Sequence, residues 1–199
     1  MKTKIKIGLA FVLFATTISC TKENINKVPG GSAIAADNNI ALRILHIGDS
    51  YRGGTIFYLD STRRYGLIAA TSDMDSTLTW WNGTSIITGA NKTGIGFGNN
   101  NTNKIIAAEG KPGNYAALLC SKDTSGGFSD WFLPSKGELN QLYRQKAFVG
   151  GLVDTMYYWS SSESTNFNDI GAWAQVFYDG HQVELLKYDK YRVRAVRAF

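Results

Sequence analysis

What most constrains this chain is the order of its periodicities: strand-like segments stand at both ends of residues 50–199, with helical ones between them. After Gly53-Gly54, the run Thr55-Ile56-Phe57-Tyr58-Leu59 is β-branched and aromatic. Residues 60–65 then read as a hairpin loop, and Gly66-Leu67-Ile68-Ala69-Ala70 as the returning strand. Toward the C-terminus, residues 156–161, 172–178, 181–187 and 191–199 read as strands. Asp179-Gly180 offers a two-residue hairpin turn, since both positions tolerate positive φ. Short helices are expected at 104–108, ended by Gly110, and at 114–121. The clearest helix follows Pro134, where Ser135-Lys136-Gly137-Glu138 is a capping box and Leu139, Leu142 and Tyr143 form a buried stripe. Trp131-Phe132-Leu133 reads as a short buried strand just upstream. Helices in the middle and hairpins at the ends imply an α+β fold rather than alternating βαβ units.

The first twenty residues bear on the compartment. Lys2, Lys4 and Lys6 precede an apolar run over residues 7–18. That run is shorter than the roughly 20 residues a membrane span needs, and it suits a signal peptide. It ends in Thr17-Ile18-Ser19-Cys20, where a small residue before cysteine is similar to the site cut by lipoprotein signal peptidase, although Thr17 stands where Leu is usual. The reading is a signal at 1–19, a lipid on Cys20, a polar tether over 20–49 and one domain over 50–199. The expected location is the cell envelope, at the outer membrane or cell surface, with the membrane engaged through the anchor. Cys120 is then alone, so no intrachain disulfide is available and burial must hold the core.

The net charge of +5 overstates the basicity of the mature protein. Three of the 21 Lys and Arg lie in the signal, so 18 face 16 Asp and Glu, a net of +2. A nucleic-acid binder carries a stronger basic excess, so nucleic acid is excluded as a partner.

Several residue groups are candidates for chemistry. Trp80 and Trp81 lie in the long Gly- and Asn-rich stretch 71–101, where binding residues concentrate. Tyr158-Trp159-Ser160-Ser161-Ser162-Glu163 has two readings: Ser161 and Glu163 face a sugar, or Trp159 is core and the hydroxyls fix the exit loop. For Trp131 and Trp173 aromatic burial is expected to dominate. Lys187, Lys190, Arg192, Arg194 and Arg197 form either a sulfate- or phosphate-binding strip centred on Lys190 and Arg192, or a solvated strand face with Arg194 or Arg197 paired to an internal carboxylate such as Glu163. Gly94-x-Gly96-x-Gly98 follows no clear strand and opens no helix within a βαβ unit, so it reads as a surface loop. His46 and His181 have no partners that would make a triad or a zinc site. Asp73, Asp75 and Asp169 match no EF-hand spacing for calcium. No cofactor, metal set or nucleophile is indicated, so an enzyme is not expected.

Taken in order, residues 53–60, 66–70, 129–139 (Ser-Asp-Trp-Phe-Leu-Pro-Ser-Lys-Gly-Glu-Leu), 158–163, 172–173, 177–180 and 193–197 closely resemble the Lcl C-terminal domain family, over roughly residues 50–199. The resemblance implies a C-type lectin-like fold with short helices and antiparallel β hairpins, related also to formylglycine-generating enzymes. Its named member is a collagen-like adhesin whose C-terminal domain is associated with sulfated glycosaminoglycans. This chain lacks a Gly-X-Y repeat, the acidic-proline-Asn motif of calcium-dependent lectins and a reactive cysteine pair. The expectation is a lipid-anchored, non-enzymatic binding or adhesion module for an extracellular glycan. The alternative is an accessory envelope lipoprotein that docks a protein partner.

Overall fold

The computed structural model describes residues 44–74, 77–167 and 170–199. The signal, Cys20, most of the tether, Asp75 and Asp169 lie outside the described residues. The fold is α+β, as the order of periodicities implies, with two antiparallel sheets and short helices between them in sequence. One sheet holds β1 (Ser50–Tyr51), β2 (Gly54–Leu59), β3 (Gly66–Ala70) and β7 (Val196–Ala198), ordered β1-β2-β3-β7. The other is β4 (Tyr157–Glu163), β5 (Gly171–Val176) and β6 (Gln182–Leu186) in sequence order. The helices are α1 (Gly98–Glu109), α2 (Ala116–Ser121), α3 (Lys136–Arg144) and α4 (Lys146–Val149). Packing begins before residue 50: Leu45 is buried in the core, and the Gly48 N–H donates to the Ile56 carbonyl at 2.8 Å.

The β2–β3 hairpin forms where the sequence places it, with one irregularity that shapes the site. Ile56 opposes Ile68 and Tyr58 opposes Leu67, so Phe57 is an extra residue, a β-bulge. In a regular strand Phe57 and Tyr58 would face opposite sides. Here Phe57 belongs to the core cluster that holds Leu67, Leu139 and Leu142, and Tyr58 packs against the same cluster.

The capping box of α3 is present in full. The Ser135 hydroxyl accepts from the Glu138 N–H, and the Glu138 carboxylate accepts from the Ser135 N–H at 2.7 Å. Leu139 and Leu142 then bury one helical stripe against Phe57 and Val196. A second core gathers Ile56, Ile68, Ile105, Leu118, Leu133, Trp80 and Trp159. Two indoles fasten it: Trp80 donates to the Ser160 carbonyl and Trp159 to the Leu78 carbonyl, each at 2.8 Å.

Four sequence expectations change. The Asp179-Gly180 turn is a four-residue connection over 177–180, because Val176 bonds to His181 and only Gly180, at φ 83°, takes the left-handed conformation. The 191–199 segment is not one strand. Tyr191 and Arg192 bridge to Leu78 and Tyr158, and β7 then pairs with β3, so the segment laces the two sheets together. The 104–108 helix starts earlier, at Gly98, so the glycine stretch does open a helix. Trp173 is half-buried rather than core, with the Lys136 ammonium 3.0 Å from its ring centroid.

Candidate binding cleft beside the β2 bulge

A hollow of about 440 Å³ lies over the bulge. Phe57, Tyr58 and Leu59 form its floor, and the hairpin loop carries Asp60, Ser61 and Arg63 to one rim. Gln141 and Gln145, four apart and so on one face of the α3 end, form another, and His46 and Ile47 a third. The floor is apolar and the rims bear amides, a hydroxyl, a guanidinium, a carboxylate and an imidazole. Such a concave site with a few convergent polar groups is where a small ligand is held and oriented.

The hairpin rim is braced from within. The Asp60 carboxylate accepts from the Thr62 hydroxyl at 2.9 Å and from the Tyr65 N–H at 3.4 Å. Burial acts to raise the pKa of Asp60, but the hydrogen bonds from Thr62 and the Tyr65, Arg64 and Arg63 backbone together hold it below the ordinary value. Arg63 sits at φ 57°, a conformation few non-glycine residues adopt. This loop is thus a fixed rim that presents Arg63.

The residues singled out from sequence lie elsewhere. Trp80 is fully buried, so its ring cannot stack on a surface ligand, and its one polar atom is committed to Ser160. Trp81 is half-buried beside Tyr188, with ring centroids 6.3 Å apart. Ser161 is fully buried, its N–H donating to the Pro134 carbonyl at 2.7 Å. Glu163 is also inside, paired with Lys187 at 2.6 Å rather than with Arg194 or Arg197. Its carboxylate accepts from the Thr88 N–H, the Thr88 hydroxyl and the Gly89 N–H. The Tyr158–Glu163 string is therefore a structural seam that pins the 86–90 segment.

Most of the C-terminal strip is likewise committed internally. Arg192 and Arg194 both pair with Asp73, at 2.9 and 2.8 Å, and Tyr158 donates to the same carboxylate at 3.0 Å. That carboxylate thus balances two guanidiniums. Arg197 meets Asp130 through Nε at 2.7 Å and Nη2 at 2.8 Å, and its guanidinium lies 3.9 Å from the Phe128 ring centroid. This pairing, first, and the nearby charge hold Asp130 below its ordinary pKa. Lys190 is exposed. A strip whose guanidiniums already face carboxylates has little charge left for a sulfate.

The glycine stretch is occupied too. The buried Glu138 carboxylate accepts from the Gly96 N–H at 2.7 Å and the Gly98 N–H at 3.4 Å, filling the place a phosphate would take. Burial holds the Glu138 carboxyl above its usual pKa against these bonds. Cys120 is fully buried, and burial pushes its thiol well above the ordinary range, so it is no nucleophile.

His46, Tyr58, Arg63, Gln141 and Gln145 span a hundred residues and share no motif. A Gly-Gly before an aromatic strand signals the hairpin, but nothing in the string marks the bulge that builds the cleft. No curated protein matches the chain significantly. The model of the Lcl C-terminal domain matches residues 69–197, the greater part of its length, and the chain belongs to that family.

Proposed function

We propose that this protein is a non-enzymatic glycan-binding module with a C-type lectin-like fold, held at the cell envelope by a lipid on Cys20. The cleft beside the β2 bulge is its binding site. The observation that carries this reading is the lining of that cleft: two side-chain amides, Arg63 and Ser61 on the rims above the Tyr58 floor. Sugar hydroxyls need donors and acceptors close together over an apolar surface, and amides supply both. Each well-made hydrogen bond contributes about 0.5–1.5 kcal/mol net, so several together give measurable affinity. The non-enzymatic reading is supported by the commitments of the other reactive groups: Cys120 is buried, and Glu163, Asp73 and Asp130 are ion-paired.

The test is a glycan-array screen of the protein beside its Gln141→Ala and Arg63→Ala variants. One glycan class bound by the parent and lost in both variants is the expected result. Silence across the array would overturn the reading and leave the protein-docking alternative. The anchor has its own test: Cys20→Ala should move the protein from the membrane fraction to the soluble one, and unchanged fractionation contradicts lipidation.

A further inference from the structure

The cleft has a neighbour. A second hollow has a volume of about 210 Å³, and Tyr58 lines both. Tyr65, Leu67, Ile95, Ala198 and Phe199 line the rest of it together with two glycines, the buried Gly66 and the exposed Gly96. A Cβ at Gly66 would stand 2.7 Å from the Phe199 ring, so no other residue leaves this wall clear. At Gly96 the φ of +89° favours glycine, and nothing lies within 4 Å of where its Cβ would be. Tyrosine hydroxyls are the only polar side-chain atoms of the lining.

Two facts set this slot apart from an ordinary apolar patch. Tyr65 and Ile95 are 67% and 38% exposed, two large apolar side chains facing water in the lining of one small hollow. The two segments that carry them are each tied down by a carboxylate. Asp60 holds the 60–65 loop through Thr62 and Tyr65, and Glu138 holds the 96–98 segment through the Gly96 and Gly98 N–H groups. The slot is open before any ligand arrives, and preorganisation of this kind lowers the ordering cost of binding. The two hollows meet at β2: Tyr58, which follows the bulge and packs against the core cluster of Leu67, Leu139 and Leu142, lines each of them.

We infer that the two hollows are one site and that its ligand is amphipathic: a glycan whose polar head lies in the cleft and whose attached alkyl or acyl chain lies in the slot, as in a glycolipid. The inference rests on the glycan reading for its head half only. One molecule filling both hollows changes from polar to apolar at Tyr58, which a free oligosaccharide does not do.

The experiment titrates the full chain with methyl, butyl, hexyl and octyl β-glucosides below their micelle-forming concentrations, and with octanoate. Affinity should rise about fourfold per methylene entering the slot and level off once it is full. Ile95→Asp, at an exposed position that a carboxylate can occupy without unfolding the domain, should flatten the series. A flat series in the parent, or a rising one that Ile95→Asp leaves intact, overturns the slot. Equal binding of octyl glucoside and octanoate keeps the slot but overturns the glycan head. Binding of methyl glucoside with no gain on lengthening the chain keeps the cleft and overturns the amphipathic ligand.

Discussion

Replacing Lys187 by Met isolates what the buried ion pair contributes. Lys187 is fully buried, Glu163 is 4% exposed, and Lys187 Nζ lies 2.6 Å from Glu163 Oε1. The ammonium also donates to the Ile86 carbonyl at 2.9 Å and lies 4.7 Å from the Trp80 ring centroid. Methionine keeps the aliphatic stem, so the change is chiefly one of charge. Removing one member of a buried pair costs about 3–5 kcal/mol, because the other charge is stranded. Glu163 would keep its bonds from Thr88 and Gly89, which places the cost near the lower end, about 3 kcal/mol. With a urea slope of about 2 kcal/mol/M, the unfolding midpoint should fall by about 1.5 M. Tryptophan fluorescence during urea unfolding at neutral pH reads this directly. Adding Glu163→Gln should recover part of the loss, since the stranded charge is then gone. A fall of less than about 0.5 M, roughly 1 kcal/mol on that slope, would refute the reasoning. So would a double variant no more stable than the single one.

Other outcomes follow from the same network. Burial raises the Glu138 pKa above the ordinary glutamate value, so between that value and the folded one the native state holds the proton more tightly than the unfolded chain. The contribution of Glu138 to stability is therefore fullest below this window and diminishes as pH rises through it. Urea midpoints measured across that range should show the slope in the parent and lose it in Glu138→Gln, and parallel curves would contradict the assignment. Ser135→Ala removes the cap of α3 and the 2.7 Å bond to the Gly94 carbonyl, and should cost about 1–2 kcal/mol in the same assay. Tyr158, buried and held near Asp73, has its pKa pushed up to about 12. Its share of stability should accordingly persist up to pH 10 and fall between 10 and 12, which a Tyr158→Phe comparison checks.

The parts of the fold legible in the sequence are those set by local chemistry. The Ser135–Glu138 box is complete within four residues, and the Leu139/Leu142 stripe needs only helical geometry to be read. The start of α1 was not legible, because Gly98-Asn99-Asn100-Asn101 disfavours a helix by propensity. Tertiary bonds hold that end instead: Asn101 donates to the Lys92 carbonyl, and Thr102 exchanges bonds with Leu133. Trp80 misleads for the same reason, since a tryptophan in a long polar segment reads as exposed until the partner of its indole, eighty residues away, is known. The basic C-terminus reads as a ligand strip only while Asp73 and Asp130 are out of sight. The cleft was invisible because one unpaired residue, Phe57, decides which way Tyr58 faces, and strand registers are not written in composition.

The central claim is that the cleft beside Tyr58, not the C-terminal strip, binds the glycan. Titrating a glycan taken from the array against the parent, Gln141→Ala and Lys190→Ala tests it most directly. The account predicts that Gln141→Ala weakens binding by about tenfold, one lost hydrogen bond at the upper end of its range, while Lys190→Ala leaves it unchanged. Loss of binding in Lys190→Ala with Gln141→Ala unaffected would contradict it and return the site to the basic strip.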